Sequence, residues 1–387
     1  MKRALHVVNT LNPDEGGTSV SVPALALATS QTHRYSTTLL HAHVGEKLNL
    51  AEDEFVTRST DFSALRILSN VIAGGEVDSI VRESDIVHIH GIWKKHSIGA
   101  GLIASRNKKP LVFSAHGMLE PWALRNKKWK KGPYSLLVER PNLNRAALLR
   151  ALTMAEAEDY RRYGLKAPIV VIPNGVDALE DASPELTFDS WPELRGQRIV
   201  LYLSRIHYKK GVDLLAKAWS SVAASFPDAH LVFAGPDSEG TQATVEQIVR
   251  DSHLENRVTF TGPVFGDKKA SLFRASSIFI LPSHSEGFSI ATLEALSVGV
   301  PAIITKACHF QEVEGAGAGW CITPTVSDIT EALTFALSNS DSELHSRGLR
   351  GKALASKYAW PAVGRQMADA FDWILGGPRP TSMEIVD

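Results

Sequence analysis

Short β-branched apolar runs alternate along the chain with longer segments whose apolar residues recur every three or four positions. The first kind predicts buried strands and the second amphipathic helices. In the first half the strands fall at residues 4–8, 35–41, 85–90, 110–114 and 169–172, with helices at 20–28 and 155–163 among the segments between them. The loop-formers Pro173, Asn174 and Gly175 close this half. From Arg198 the pattern restarts, with strands at 199–203, 230–234, 257–261, 278–281 and 319–323. Helices at 212–224, 241–251, 267–275, 290–297 and within 327–356 separate them. A last amphipathic segment, 358–375, carries Trp360, Val363, Met367, Phe371 and Ile374 on one side. Alternation of this kind predicts an α/β protein of two doubly wound parallel sheets, with ligands beyond the carboxyl ends of the strands. The expected division is 1–175, 176–357 and a terminal helix over 358–376, and the Pro/Gly-rich residues after Gly376 read as a loose tail.

At 387 residues, 44% of them hydrophobic, the chain is long enough for two cores. Cys308 and Cys321 are too few for a disulfide framework and read as small buried residues in a reducing compartment. No apolar run has the length of a membrane span, and residues 4–8 read as a first strand rather than a signal peptide, so the expected location is cytoplasmic. Charge is unevenly spread. Between Lys94 and Arg150 stand thirteen lysines and arginines against Glu120 and Glu139, a local charge of +11, while the rest sums to −12. This points to an anionic partner. Within that stretch P-W-A-L-R-N-K-K-W-K-K-G interleaves Trp122 and Trp129 with Arg125, Lys127, Lys128, Lys130 and Lys131. The pattern fits peripheral contact with an anionic membrane at its inner face, or on the acceptor side of an enzyme; a solvated charged helix is the alternative. No recognised nucleic-acid motif accompanies it.

Candidate chemistry concentrates after the strand at 278–281, in S-H-S-E-G-F-S-I-A-T-L-E-A-L-S-V-G-V-P. Glu286 and Gly287 belong to a turn, Phe288 follows, Ser289 is placed to cap a helix beginning at Ile290, and Glu294 lies on that helix. First-turn amides of a helix attract phosphates and hydroxyls, and ionised carboxylates accept from hydroxyl pairs. The plain alternative is a turn cap and a solvated helix residue. A second stretch, L-S-R-I-H-Y-K-K-G-V-D, puts Ser204, Arg205 and Lys210 in the loop leaving a strand, where a guanidinium and an ammonium suit a diphosphate; an ordinary surface loop is the alternative. Gly16 and Gly17 allow a tight ligand loop or a simple turn. G-x-G-x-x-G is missing after any strand, which excludes the dinucleotide fingerprint. His88 and His90 share one face of a strand without a third ligand at a telling spacing, so no metal site is expected there. His116 stands in the loop S-A-H-G-M-L-E-P.

The E-G-F-x5-L-E-A stretch and the S-R-I-H-Y-K-K-G loop together resemble retaining glycosyltransferase family 4, enzymes of the GT-B fold with two Rossmann-like domains facing a central cleft. The resemblance implies that Glu286 contacts the donor sugar and Glu294 the ribose of a nucleotide sugar. Arg205 and Lys210 then hold the diphosphate, and Gly16 and Gly17 lie near phosphates and acceptor. His116 sits beside the reacting carbon, with Gly117 where many relatives have aspartate, and Ser204 stands where a glycine is usual. Gly235, Val264 and the backbone of 262–265 line the nucleotide, and the terminal helix crosses back to the first domain. A hexosyl group would pass to a hydroxyl of a glycan or lipid-linked acceptor of polysaccharide synthesis, with retention, without cofactor or metal, and without nucleic acid. A sugar-nucleotide epimerase and a non-catalytic sugar- or membrane-binding module are the competing readings.

Overall fold

The computed structural model describes residues 1–12, 17–43, 56–125, 132–177, 179, 181–237 and 239–387. It divides into two units, Met1–Gly175 with Trp360–Asp387, and Val176–Ala359. Strands β1 to β7 are Lys2–Thr10, Tyr35–His43, Val56–Ser59, Ile86–His90, Leu111–Ser114, Leu148–Ala151 and Ile169–Val171. Strands β8 to β14 are Arg198–Leu203, Ala229–Ala234, Val258–Gly262, Ser276–Leu281, Ala302–Thr305, Gly319–Ile322 and Glu384–Val386.

The first unit is an eight-stranded sheet of order β14-β7-β6-β5-β4-β1-β2-β3, parallel except for β14. Its central strands β4, β5 and β6 have side chains buried on both faces, as parallel strands covered by helices must. On one face Ala4, Ile86, Val112, Leu148 and Val170 meet the helix Thr18–Ser30 and the terminal helix Trp360–Ile374. On the other, Leu5, Val87, Phe113 and Leu149 join Ile103 and Tyr160 from the helices Lys95–Arg106 and Met154–Tyr163. Gly364 permits the close approach of the terminal helix, because a Cβ there would lie 2.2 Å from the Ala28 carbonyl oxygen. Asp372 fastens its end, accepting from Lys2 Nζ at 2.7 Å and Tyr35 Oη at 2.6 Å and pairing with Arg34. The second unit is a parallel six-stranded sheet, β10-β9-β8-β11-β12-β13, around one continuous apolar core.

Two departures from the sequence pattern have local causes. Residues 384–386 are not a loose tail: β14 pairs antiparallel with β7, and Arg161 Nη2 donates to the Val386 carbonyl at 2.9 Å. Strand β6 lies in A-A-L-L-R-A-L, a run of good helix formers with a buried arginine at its centre, and tertiary pairing between β5 and β7 overrides that propensity.

Candidate active site

In the second unit β8 runs into the loop that carries Ser204 and Arg205, then a 3-10 turn Tyr208–Lys210 and the helix Val212–Val222. Gly211 joins turn to helix at φ 69°, and a Cβ there would sit 2.1 Å from the Pro282 carbonyl oxygen, so only glycine lets this loop lie against the one leaving β11. The His284 N–H donates to the Lys209 carbonyl at 2.8 Å across the same junction. The two loops are thereby locked as a pair. Their side chains meet in an ion pair between Lys210 Nζ and Glu286 Oε1, residues only 9% and 8% exposed. Ser283 Oγ donates to the same carboxylate oxygen at 2.9 Å, and the Glu286 N–H donates to the Ala307 carbonyl at 3.0 Å. Burial by itself pushes the Glu286 carboxyl up, but the charge and hydrogen bond of Lys210, aided by Ser283, hold it below the usual carboxylate range. Glu286 is therefore an ionised acceptor wired to an ammonium, not the cap of its own turn.

Ser289 caps the helix Ile290–Val298, its Oγ accepting from the Thr292 N–H at 3.2 Å. The N–H groups of Ile290 and Ala291, at the start of that helix, have no acceptor within it. Glu294, one turn on, is half-buried and bonded to Lys269 Nζ at 2.7 Å rather than solvated. Gly287 and Phe288 are half-buried, and Phe288 leans on Phe310 and Tyr358. Arg205 is exposed, with no side-chain partner among the described residues. Ser204 donates its N–H to Ala234 at 3.0 Å and Gly235 to Gly262 at 2.9 Å, which levels the ends of β8, β9 and β10; Val264 packs into the core just beyond. One loop thus presents a free guanidinium and a buried ammonium, and the next a carboxylate and helix amides. Such a set can bind an anionic diphosphate and accept from hydroxyls at adjacent points.

The first unit contributes separately. His116 follows β5 at φ 56°, half-buried, and the adjoining Gly117 gives its N–H to the buried Glu156 carboxylate at 2.7 Å. His88 and His90 are not a lone pair of histidines. His6, which interrupts the first apolar run, is the register partner of His88, and ring nitrogens of His6, His88 and His90 lie within 4.8 Å of one another. Sequence spacing hid this third member because it comes from a strand 82 residues earlier. Both cysteines are buried, as read. Gly17 is the N-cap of the first helix. Trp122 is half-buried on the short helix Pro121–Arg125. Gly16 and the residues Lys127, Lys128, Trp129, Lys130 and Lys131 lie outside the described ones. Just beyond them Leu136 and Leu137 are 62% and 74% exposed, an apolar signal that the charge pattern overshadowed.

Removing one partner of the buried pair leaves the other uncompensated. Glu286→Gln should cost roughly 3 kcal/mol at pH 7, less than for a fully sealed pair because both groups keep some solvent. Since the folded Glu286 pKa lies below the ordinary 4.5, its contribution is complete above that value and fades as pH falls through the folded pKa. Denaturant titrations of both proteins from pH 7 to pH 3 should show the difference shrinking on the acid side; a constant difference would contradict the pairing.

Comparison with known proteins shows the family and the fold. Residues 185–350 match the family of glycosyl transferases group 1, and residues 16–178 match Glycosyltransferase Family 4. D-inositol 3-phosphate glycosyltransferase of Kineococcus radiotolerans is 26% identical over 86% of this chain and 80% of its own. GDP-mannose:cellobiosyl-diphosphopolyprenol alpha-mannosyltransferase of Xanthomonas oryzae pv. oryzae is 25% identical over 77% of each. The Anabaena protein HepE, solved in complex with UDP and glucose, shares the fold with a TM-score of 0.79 across 96% of this chain and all of that one, at 20% identity. With both halves matched and the architecture shared almost end to end, the chain belongs to the group 1, family 4 glycosyltransferases and adopts their GT-B fold.

Proposed function

We propose that the protein is a retaining hexosyltransferase that moves a sugar from a nucleotide diphosphate to a hydroxyl of a glycan or lipid-linked acceptor. The observation that carries this reading is the buried Lys210–Glu286 pair at two locked strand-end loops, beside a serine-capped helix. In the bound state Lys210, Arg205 and the amides after Ser289 take the diphosphate, while Glu286 turns its acceptor oxygens to the sugar hydroxyls and Glu294 to the ribose. As the bond from the sugar carbon to the diphosphate oxygen breaks, the leaving oxygen gains charge that these groups stabilise. The incoming hydroxyl attacks from the same face and passes its proton to that leaving oxygen, so configuration is kept without a carboxylate nucleophile. The protein supplies position and charge. Because cationic side chains and amides meet the phosphate charge, no step calls on a metal. The related structure with UDP and glucose and the GDP-mannose relative make UDP- and GDP-sugars the first donors to test.

Lys210→Ala should lower turnover about a hundredfold or more with the preferred donor, as loss of a charge partner of the transition state does. Wild-type turnover in a folded variant would remove Lys210 from the mechanism. In the same assay wild-type turnover should persist in EDTA, and its abolition with recovery on magnesium would contradict the metal-free path.

The acceptor side favours a membrane. The basic stretch from Lys94 to Arg150, the half-buried Trp122 and the exposed Leu136 and Leu137 put apolar and cationic groups in one region of the chain, the combination that seats a peripheral protein on anionic lipid. No helix among the described residues is long and apolar enough to cross a bilayer. At about 1 kcal/mol per basic residue, five such residues hold an enzyme reversibly. Co-sedimentation should therefore be stronger with anionic than with neutral liposomes, weaken with salt, and fall when Arg125, Lys127, Lys128, Lys130 and Lys131 are changed to serine. Equal binding to both lipids would leave a soluble glycan as the acceptor.

A further inference from the structure

Two lysine–glutamate pairs stand at the carboxyl-end edge of the second unit's sheet, and they are built differently. The Lys210–Glu286 pair is sealed, whereas the second, Lys269 Nζ to Glu294 Oε1 at 2.7 Å, keeps its ammonium 26% and its carboxylate 13% exposed. Lys269 is the fourth residue of the helix Gly266–Ala275, which starts just past the end of β10. Glu294 is the fifth residue of the helix Ile290–Val298, which follows the loop leaving β11. Both side chains thus come from the opening turns of helices that begin at carboxyl ends of strands, where ligands of parallel sheets bind.

The lysine is not placed there for the good of its own helix. Lys268 and Lys269 close a first turn whose unpaired N–H groups carry partial positive charge, an end at which cations are disfavoured and Asp267 is the suitable residue. A local rule broken at a ligand-facing edge calls for a reason outside the helix. Glu294 supplies one. A carboxylate offers about four lone-pair directions on its two oxygens and donates nothing. Lys269 occupies one direction on Oε1, while Oε2 has no partner among the described residues and is not one of the sealed atoms. The bond fixes a side chain that would otherwise exchange rotamers, so part of the ordering cost of binding is met before the ligand arrives. The ammonium also offsets the carboxylate's charge, which would otherwise repel an anionic ligand. The result is a fixed acceptor in a locally neutral pair, suited to a vicinal hydroxyl pair carried by an anion.

We propose that Lys269 is a positioning residue that holds Glu294 for the two ribose hydroxyls of a nucleoside diphosphate, and that this tether gives the site its selectivity for ribonucleotides over 2′-deoxyribonucleotides. The proposal rests on the reading of Glu294 under the proposed function and adds the residue that makes that contact selective. The Lys269–Glu294 pair stays closed when the nucleotide binds, in contrast to the Lys210–Glu286 pair, which opens onto it.

The test is isothermal titration of the full chain, without acceptor, with UDP, GDP and ADP and with the 2′-deoxy form of each. For the base bound most tightly, the wild type should prefer the ribonucleotide about ten- to a hundredfold, as loss of a hydrogen bond to a charged acceptor predicts. Lys269→Met keeps the stem and removes the ammonium, and should bring that ratio close to one. Lys269→Arg, which still donates to Glu294, should restore most of it. General weakening through charge acts on both nucleotides and cancels in the ratio, so the ratio reads positioning alone. Thermal unfolding checks that the variants are folded, and Lys269→Ala is read in the same way if the methionine variant is not. A wild-type ratio retained in the Met or Ala variant would overturn the proposal and leave Lys269 as a staple between two helices. A ratio near one in the wild type, or one unchanged in Glu294→Ala, would instead remove Glu294 from the ribose. Failure to bind any of the three diphosphates would overturn the transferase reading itself, so the two levels fail separately.

Discussion

The ion pair between Lys210 and Glu286 is the constraint on which the second unit's ligand-facing surface depends. Two charges brought this far out of water are costly, and their attraction offsets the loss only where geometry and further hydrogen bonds are good. Here they are, because the loops that carry them cannot separate: Gly211 lies against Pro282, the His284 amide holds the Lys209 carbonyl, and Ser283 completes the carboxylate. The pair keeps an ammonium and a carboxylate desolvated, oriented and satisfied, and under the proposed function a diphosphate and a sugar would replace each as the other's partner. A group already stripped of water interacts more strongly with charge that develops in the reaction.

Much of this was legible in the residues. The period-two and period-3.6 runs placed nearly every strand of the second unit, because its central strands are continuous apolar runs ended by glycine or proline, as Ile278–Leu281 is by Pro282. The placement of the candidate site residues was legible for a related reason: Arg205, Lys210 and Glu286 stand in loops at strand ends and Glu294 one turn into the helix that follows, where local sequence dictates local structure. What could not be read was the partnership. Residues 210 and 286 are 76 apart, and no periodicity says that one neutralises the other. Nor does it say that Glu294 reaches Lys269, or that a half-apolar stretch such as L-L-R-A is a strand with its arginine buried.

The first unit shows the same limit more sharply. His6 reads as a blemish in a hydrophobic strand and His88 and His90 as ordinary polar residues at a strand end. Only register joins them, since His6 faces His88 across the β1–β4 ladder and His90 lies two residues further on the same face. A buried polar line under an apolar helix is unfavourable unless its members satisfy one another. Here His6 bonds to His90, His90 to His116 and His88 to Ser114, so the buried rings satisfy one another and tie the residue that follows β5 to the core.

A structure of the full chain with the nucleoside diphosphate of its preferred donor would test the central claim most directly. The account predicts diphosphate oxygens at about 2.7–3.2 Å from Lys210 Nζ and from the first-turn amides after Ser289, with the Arg205 guanidinium turned onto them and Glu294 on the ribose. A nucleotide bound elsewhere, with Lys210 and Glu286 still sealed against each other, would contradict it.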